Sequence, residues 1–349
     1  TYIFNRGDGQ DVINDYDYGQ AFGGYGNGSG SLNKTDRIEL GAGISREDLF
    51  IHRVGNNLVV DILSGGEPVD DGIAVENWYS SDRYRIEEIV LADNSVLTLA
   101  EIELAAIANL TTEADDAVSV LTESVTLHGK GGNDQLTSGN HDSALYGDAG
   151  DDVLTVGSRA SNTLDGGTGD DLLKVGKTTG GNTGKYASYE QNTFNGGAGN
   201  DRLEGWTGAD TYIFNRGDGQ DVINDYDYGQ AFGGYGNGSG SLNKTDRIEI
   251  GEGINEEQLW LSQQGDDLQI DVIGSDDQIR IENWYKGEQY RIEEIELSGG
   301  AVLLEHQVEQ LVSAMASFNV SSSSDMVLQA AVEDELKPLI AVSWQHTSP

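Results

Sequence analysis

GKGGNDQLTSGNHDSALYGDAGDDVLTVGSRASNTLDGGTGDDLLK, residues 129–174, returns to an apolar residue about every nine positions. The rungs are Leu136, Leu145, Leu154, Leu164 and Leu173, and they continue outward to Leu127 and Val118 on one side and to Phe194, Leu203 and Tyr212 on the other. Most steps are nine residues, one is ten, and the longer step from Leu173 to Phe194 fits a coil with an inserted loop. Ahead of every second rung sits a Gly- and Asp-rich turn: GKGGND (129–134), GDAGDD (147–152), GGTGDD (166–171) and GGAGND (196–201). GWTGAD (205–210) and RGDGQD (216–221) follow. A flexible Gly/Asp linker has no reason to keep an apolar rung in register.

The pattern G-G-x-G-x-D-x-U-x has a physical reading. Glycine adopts positive φ, so each turn can curl and aim its carbonyls inward. Carboxylate and carbonyl oxygens are the hard ligands that Ca2+ takes. The residues after the Asp form a short strand, and its apolar side chain enters the core. Stacked turns bring carboxylate against carboxylate, so a cation between them is required. The expected fold is mainly β: a parallel β-roll flanked by two homologous small β-rich modules with short helices. The expected metal ligands are Gly129, Gly131, Gly132 and Asp134 in the first turn and Gly147, Ala149, Gly150 and Asp152 in the second. Gly166, Thr168, Gly169 and Asp171 follow, then Gly196, Ala198, Gly199 and Asp201, and finally Asp210, Asp218 and Asp221.

In a parallel roll, successive turns alternate between two edges. One edge carries Asp116, Asp134, Asp152, Asp171, Asp201 and Asp221. The other carries VLTESV (120–125), SGNHDS (138–143), GSRASN (157–162), an insertion ending at Asn192, and the complete turn GWTGAD. A single turn cannot complete the six to eight ligands of Ca2+. A row of ions is therefore expected on the first edge, in the four gaps between turns 129–134, 147–152, 166–171, 196–201 and 216–221. The second edge should hold at most an ion near Asp210, with its apolar rungs keeping the strands in place.

The formal net charge is −40, from 60 acidic and 20 basic residues, which argues against nucleic acid and anionic membrane as partners. No Cys is present, so there is no disulfide framework and no thiolate chemistry. No apolar run is long enough to span a bilayer, and no N-terminal signal peptide is visible. Thr1 reads as the middle of a motif, because its twin Thr211 follows GWTGAD; the natural chain is expected to continue upstream.

Residues 1–40 recur at 211–250 with one change, Leu40 to Ile250. Similarity continues in GNNLVVDI (55–62) and GDDLQIDV (265–272), in ENWY (76–79 and 282–285) and in YRIEEI (84–89 and 290–295). The chain thus reads as a module (1–110), a roll (111–224), a second module (225–320) and a tail (321–349), with EADDAVSV a capping coil that enters the roll. Within a module, Arg37–Leu40 is read as a strand, Phe50–Arg53 and Leu58–Leu63 as a hairpin, and Ile73–Tyr79 and Arg85–Leu91 as further strands. Helices are expected at Leu99–Ala108 and Glu305–Phe318, and at Met326–Val342 with a break at Pro338. The repeated Gly/Tyr loop (15–36, 225–246) contains Tyr16, Tyr18, Phe22 and Tyr25 and is read first as a surface loop packing its own aromatics, with partner binding as the alternative. Asp15, Asp17 and Asp36 could also hold an ion, but their spacing matches no Ca2+ motif.

The five histidines, His52, His128, His141, His306 and His346, show no zinc spacing, and there is no nucleophile elbow or phosphate loop. Trp78 and Trp284 are read as core residues in matching strands, with a sugar platform as the minor alternative. No enzyme is expected.

The roll resembles the RTX (repeats-in-toxin) family through its tandem nonapeptides. The stretches GNNLVVDI…VENWY…YRIEEIVLADNSVLTL and GDDLQIDV…IENWY…YRIEEIELSGGAVLL resemble the haemolysin-type calcium-binding related domain of such proteins. The ending LVSAMASF…LKPLIAVSW is similar to their C-terminal ends. The resemblance implies export by type I secretion machinery, folding outside the cell on Ca2+ and an uncleaved secretion signal within residues 305–349. It also implies a secreted, extracellular or cell-surface location. The family includes toxins, adhesins, lipases and proteases. The alternatives are an adhesive module binding glycan or a cell-surface protein, and the accessory C-terminal part of a secreted toxin or hydrolase.

Overall fold

The computed structural model describes residues 1–16, 35–121, 124–176, 191–206, 208–226, 245–318 and 330–346. The Gly/Tyr loops fall almost wholly outside these, as do Asp17, Tyr18, Phe22 and Tyr25. The chain divides into two compact units, Thr1–Leu110 and Thr111–Pro349.

The second unit is a parallel roll of two facing sheets. In sheet one, Thr126–His128, Ala144–Ala149, Thr163–Thr168, Thr193–Ala198, Thr211–Phe214, Arg247–Ile250 and Glu294–Leu297 pair in this order, all parallel. In sheet two, Ala117–Val120, Gln135–Ser138, Val153–Val156, Leu172–Val175, Arg202–Glu204, Gln220–Asn224 and Gln278–Ile281 do the same. The chain alternates between the sheets, one strand in each per coil. The register places rung on rung: Leu127, Leu145, Leu164, Phe194 and Tyr212 align in sheet one, and Val118, Leu136, Leu154, Leu173, Leu203 and Ile223 in sheet two. All but Val118 are buried, so the nine-residue period is the spacing of one core ladder.

The ladder does not stop where the nonapeptides do. Tyr212 aligns with Ile248 and Ile248 with Ile295; Ile223 aligns with Ile281. The second module therefore prolongs the sheets across the sequence boundary at residue 224. It ends them with antiparallel strands: Asp267–Val272 and Leu259–Gln264 on sheet two, Ala301–Leu304 and Gln345–His346 on sheet one.

The first unit repeats this architecture. Tyr2–Phe4, Arg37–Leu40 and Glu88–Val90 pair parallel, and Gln10–Ile13 pairs parallel with Glu67–Val75. Leu49–Val54 and Asn57–Ser64 form the expected hairpin, with Gly55 at φ 62 in its turn. The strand read over Ile73–Tyr79 ends at Val75, because Asn77 turns the chain with φ 60; Arg85–Leu91 shortens to Glu88–Val90. Trp78 and Trp284 thus follow their strands rather than lie in them, and both are fully buried, so neither ring offers a face to a sugar.

Helix α1, Leu99–Ala108, starts at a capping box in which Thr98 and Glu101 bond each other's backbone N–H. Helix α2, Glu305–Met315, buries Val308, Leu311, Val312 and Met315. Helix α3, Ala330–Ser343, runs through Pro338 without the expected break. Leu336 and Ile340 on either side of the proline are buried, and the helix packs against α2, which offsets the lost amide donor.

Candidate metal centre

The turns leaving sheet one for sheet two form the first edge. Their backbone needs positive φ at the second and fourth positions. Gly132, Gly150, Gly167, Gly169, Gly197 and Gly199 supply it, and Lys130 and Asp148 adopt it at the second position despite a side chain.

The sixth-position aspartates stack along this edge in one geometry. Each Oδ1 accepts the backbone N–H of the corresponding residue one coil earlier. Asp116 N–H donates to Asp134 Oδ1 at 2.7 Å, Asp134 to Asp152 at 2.7 Å, Asp152 to Asp171 at 2.7 Å, Asp171 to Asp201 at 2.8 Å and Asp201 to Asp221 at 3.0 Å. Each second oxygen is different. Oδ2 of Asp134, Asp152, Asp171, Asp201 and Asp221 is buried and has no hydrogen-bond partner. A buried carboxylate oxygen without a partner is costly.

The first-position glycines show what faces those oxygens. A Cβ on Gly129 would lie 2.3 Å from Asp134 Oδ2 and 2.4 Å from the Gly147 carbonyl oxygen. On Gly147 it would meet Asp152 Oδ2 and Gly166 O, and on Gly166, Asp171 Oδ2 and Gly196 O. So in three successive gaps a carboxylate oxygen and the next turn's carbonyl converge on a space kept open by a missing side chain. At Gly196 the three nearest atoms all belong to Asp201, and the next first position is Arg216. The donors are oxygen only, from neighbouring turns, and suit a hard divalent cation.

Burial and mutual repulsion raise the pKa of these carboxyls: Asp134 upward, Asp152 to about 6, Asp171 to about 7, Asp201 to about 6 and Asp221 to about 8. In each the largest cause is desolvation, opposed by the backbone N–H and reinforced by neighbouring Asp charges.

The other expected ligands divide. The carbonyls of Thr168 and Ala198 accept N–H bonds from Gly150 and Gly169 of the preceding turns. Gly150, Gly169 and Gly199 are tightly stacked, a Cβ on each falling within 2.1 Å of the carbonyl of Gly132, Gly150 and Gly169 respectively. Gly131 lies beside Glu113, and Ala149 O is the nearest second-turn atom to it. Asp218 closes its own turn by accepting from Asn215 N–H at 2.6 Å. Asp116 accepts from Thr112 N–H, which caps the file at its start. At the other end Asp221 aligns with the apolar Ile279, so the file stops.

Two ladders escaped the sequence reading. Fifth-position side chains bond forward along the first edge: Asp115 to Asn133 N–H, Asn133 to Asp151, Asp151 to Asp170, Asp170 to Asn200 and Asn200 to Gln220. The signal was the Asn or Asp that precedes Asp116, Asp134, Asp152, Asp171 and Asp201. On the second edge, Asn162 Oδ1 accepts from Ser143 N–H, Asn192 Oδ1 from Asn162 N–H, and Asp210 Oδ1 from Asn192 N–H. These residues stand two before their rungs, as the aspartates do. Asn162 brings its own amide donors, bonding Ala160 O and Asn192 Oδ1. The second edge is thus hydrogen-bonded through amides, and not held by apolar rungs alone.

Among known families, the haemolysin-type calcium binding protein related domain matches residues 57–101 and 267–307. The RTX calcium-binding nonapeptide repeat matches residues 126–154, 156–177 and 186–223. Together they cover about half of the chain. The chain is 28% identical over 133 residues to the iron-regulated protein FrpA of Neisseria meningitidis serogroup C, a match that covers 37% of this chain and 10% of FrpA. It also aligns with the extracellular lipase LipA of Serratia marcescens at 14% identity and a TM-score of 0.20, over 48% of this chain and 36% of the lipase. Among the described residues no helix is long and apolar enough to cross a membrane. With the nonapeptides lying on the coils of the roll and the related domain on both modules, the chain belongs to the RTX calcium-binding repeat family.

Proposed function

We propose that this chain is a non-enzymatic calcium-binding region of a larger secreted or surface protein, which folds on Ca2+ after type I secretion. The observation that supports this is the file of five buried, unpartnered carboxylate oxygens on the first edge. Such a file must be neutralised. Protons do so only where the pH lies below the raised pKa values, whereas a divalent cation does so at neutral pH. Asp134 with Gly147 O, Asp152 with Gly166 O, and Asp171 with Gly196 O would hold ions in the first three gaps, and Asp201 with Asp221 in the fourth. Any ion that binds the folded chain alone adds its binding free energy to stability, about 2.7 kcal/mol per site at a hundred times its Kd.

The reading as an adhesive module rests on the Gly/Tyr loops, which lie outside the described residues. The secretion signal is assigned to the C-terminal tail. The part to remove is residues 330–349, which carry α3 with its buried Leu336 and Ile340 and the edge strand Gln345–His346, so the shortened chain is first shown to fold on Ca2+ in vitro. Expression in a cell with a type I channel tests the proposal. The full chain should appear outside and become protease-resistant only when the medium contains Ca2+; the shortened chain should stay inside. Export of the shortened chain, or resistance without Ca2+, contradicts it.

A further inference from the structure

The second edge contains a group of three acids, two of which lie outside both matched families. Asp210, Asp225 and Asp246 each place a carboxylate oxygen within 4.8 Å of the other two. That is about twice a Ca–O bond of roughly 2.4 Å, the widest separation two ligands of one ion can have. All three residues are buried, at 0%, 2% and 1% exposure. Asp225 and Asp246 lie beyond the nonapeptide match, which ends at residue 223, and ahead of the related domain, which starts at residue 267.

The fold explains how they meet. Asp210 and Asp246 occupy the same register position in successive coils, two residues before the aligned rungs Tyr212 and Ile248. Asp210 N–H donates to Asp246 Oδ1 at 2.8 Å, as in the first-edge file. Asp225 directly follows the strand Gln220–Asn224, at the first position of its turn, where the first edge has glycine. A carboxylate therefore enters where a carbonyl would face the neighbouring coil. Gly205 keeps the space open: a Cβ there would meet the Tyr212 hydroxyl and lie 2.9 Å from Asp210 Oδ2.

A second observation points to a ligand. The Tyr212 hydroxyl, on a residue 1% exposed, makes no hydrogen bond of acceptable geometry, although it faces the carboxylates. It is one more neutral oxygen directed at the same space.

We propose that Asp210, Asp225 and Asp246 bind one divalent cation of the Ca2+ class, which joins both ends of the inserted segment 226–245 to the preceding coil. The site builds on the calcium reading but has its own ligands on the opposite edge. Its side-chain set is also richer in charge: three carboxylates meet at one point, where each first-edge gap brings a carboxylate against a carbonyl.

Crystals of the full chain grown with Ca2+ and exchanged into Tb3+ test the proposal through an anomalous-difference map. A peak within coordinating distance of all three carboxylates is expected. Equilibrium dialysis of Ca2+ against Asp225→Asn should then find one bound ion fewer than wild type, with first-edge ions retained. First-edge peaks without a peak at Asp225, or an unchanged ion count in the variant, overturn the proposal. A peak at Asp225 without peaks beside Asp152 and Asp171 would instead sink the first-edge reading and leave this one standing. If the variant does not fold, the wild-type map decides alone.

Discussion

Gly166 and Gly217 separate two uses of glycine in this chain. Gly217 has φ 95 and no atom within 4 Å of an added Cβ, so Gly217→Ala should cost only backbone strain, on the order of 1–2 kcal/mol. Gly166 needs no positive φ, yet its Cβ would fall 2.3 Å from Asp171 Oδ2 and 2.4 Å from Gly196 O. Gly166→Ala should cost about 1–3 kcal/mol from overpacking and also lower calcium affinity. Thermal melts of both variants with and without Ca2+ check this: only Gly166→Ala should lose part of the stabilisation that Ca2+ brings. The aspartates beside it carry a pH prediction. Asp152, Asp171, Asp201 and Asp221 are raised to about 6, 7, 6 and 8, against roughly 4 in an unfolded chain. Between those limits the folded state binds more protons than the unfolded, so stability falls as pH rises. In chelator, the melting temperature of the roll should drop from pH 5 to pH 8. In Ca2+, where ions replace the protons, the drop should vanish or reverse. An equal drop in both would count against these carboxylates as the ion's ligands.

At the scale of elements, the two edges make an internal comparison. Both stack a residue two positions before each rung, and both use its side-chain oxygen to receive a neighbouring N–H. On the first edge the residue is Asp and its second oxygen is left bare; on the second edge Asn162 fills that role with an amide that finds its own acceptors. Asn162→Ala should therefore cost about 1–3 kcal/mol for the lost buried hydrogen bonds, equally with and without Ca2+. Asp171→Asn should cost little in chelator and much in Ca2+. Urea unfolding of the two variants in Ca2+ and, at pH 5 where protons hold the roll folded, in chelator measures the difference. The sequence carried most of this: the rung period, the assignment of turns to edges and the file of first-edge aspartates are all read from spacing. The asparagine ladder was missed because the reading looked for charge rather than for a side-chain oxygen at a fixed offset. Asn77 and Pro338 misled it for local reasons: a left-handed residue ended a strand pattern, and tertiary packing carried a helix through a proline.

For the whole molecule, the roll runs on beneath the second module. That continuity was hidden because an insertion of twenty residues separates Asp225 from Asp246 and breaks the nine-residue step, although Ile248, Ile281 and Ile295 hold the rungs in line. The first unit is built differently from the middle of the roll. Its parallel strands lead into antiparallel ones over a core of Ile51, Leu58, Val60, Ile62, Ile73 and Trp78, and among its described residues there is no file of bare carboxylates. Calcium dependence should therefore be regional. Hydrogen–deuterium exchange of the full chain, with Ca2+ and with chelator at neutral pH, measures this directly. The account predicts that amides of Gln135–Ser138, Val153–Val156, Leu172–Val175 and Arg202–Glu204 lose protection on chelation, while those of Leu49–Val54 and Asn57–Ser64 keep it. Equal protection of the roll strands in chelator and in Ca2+ would contradict it.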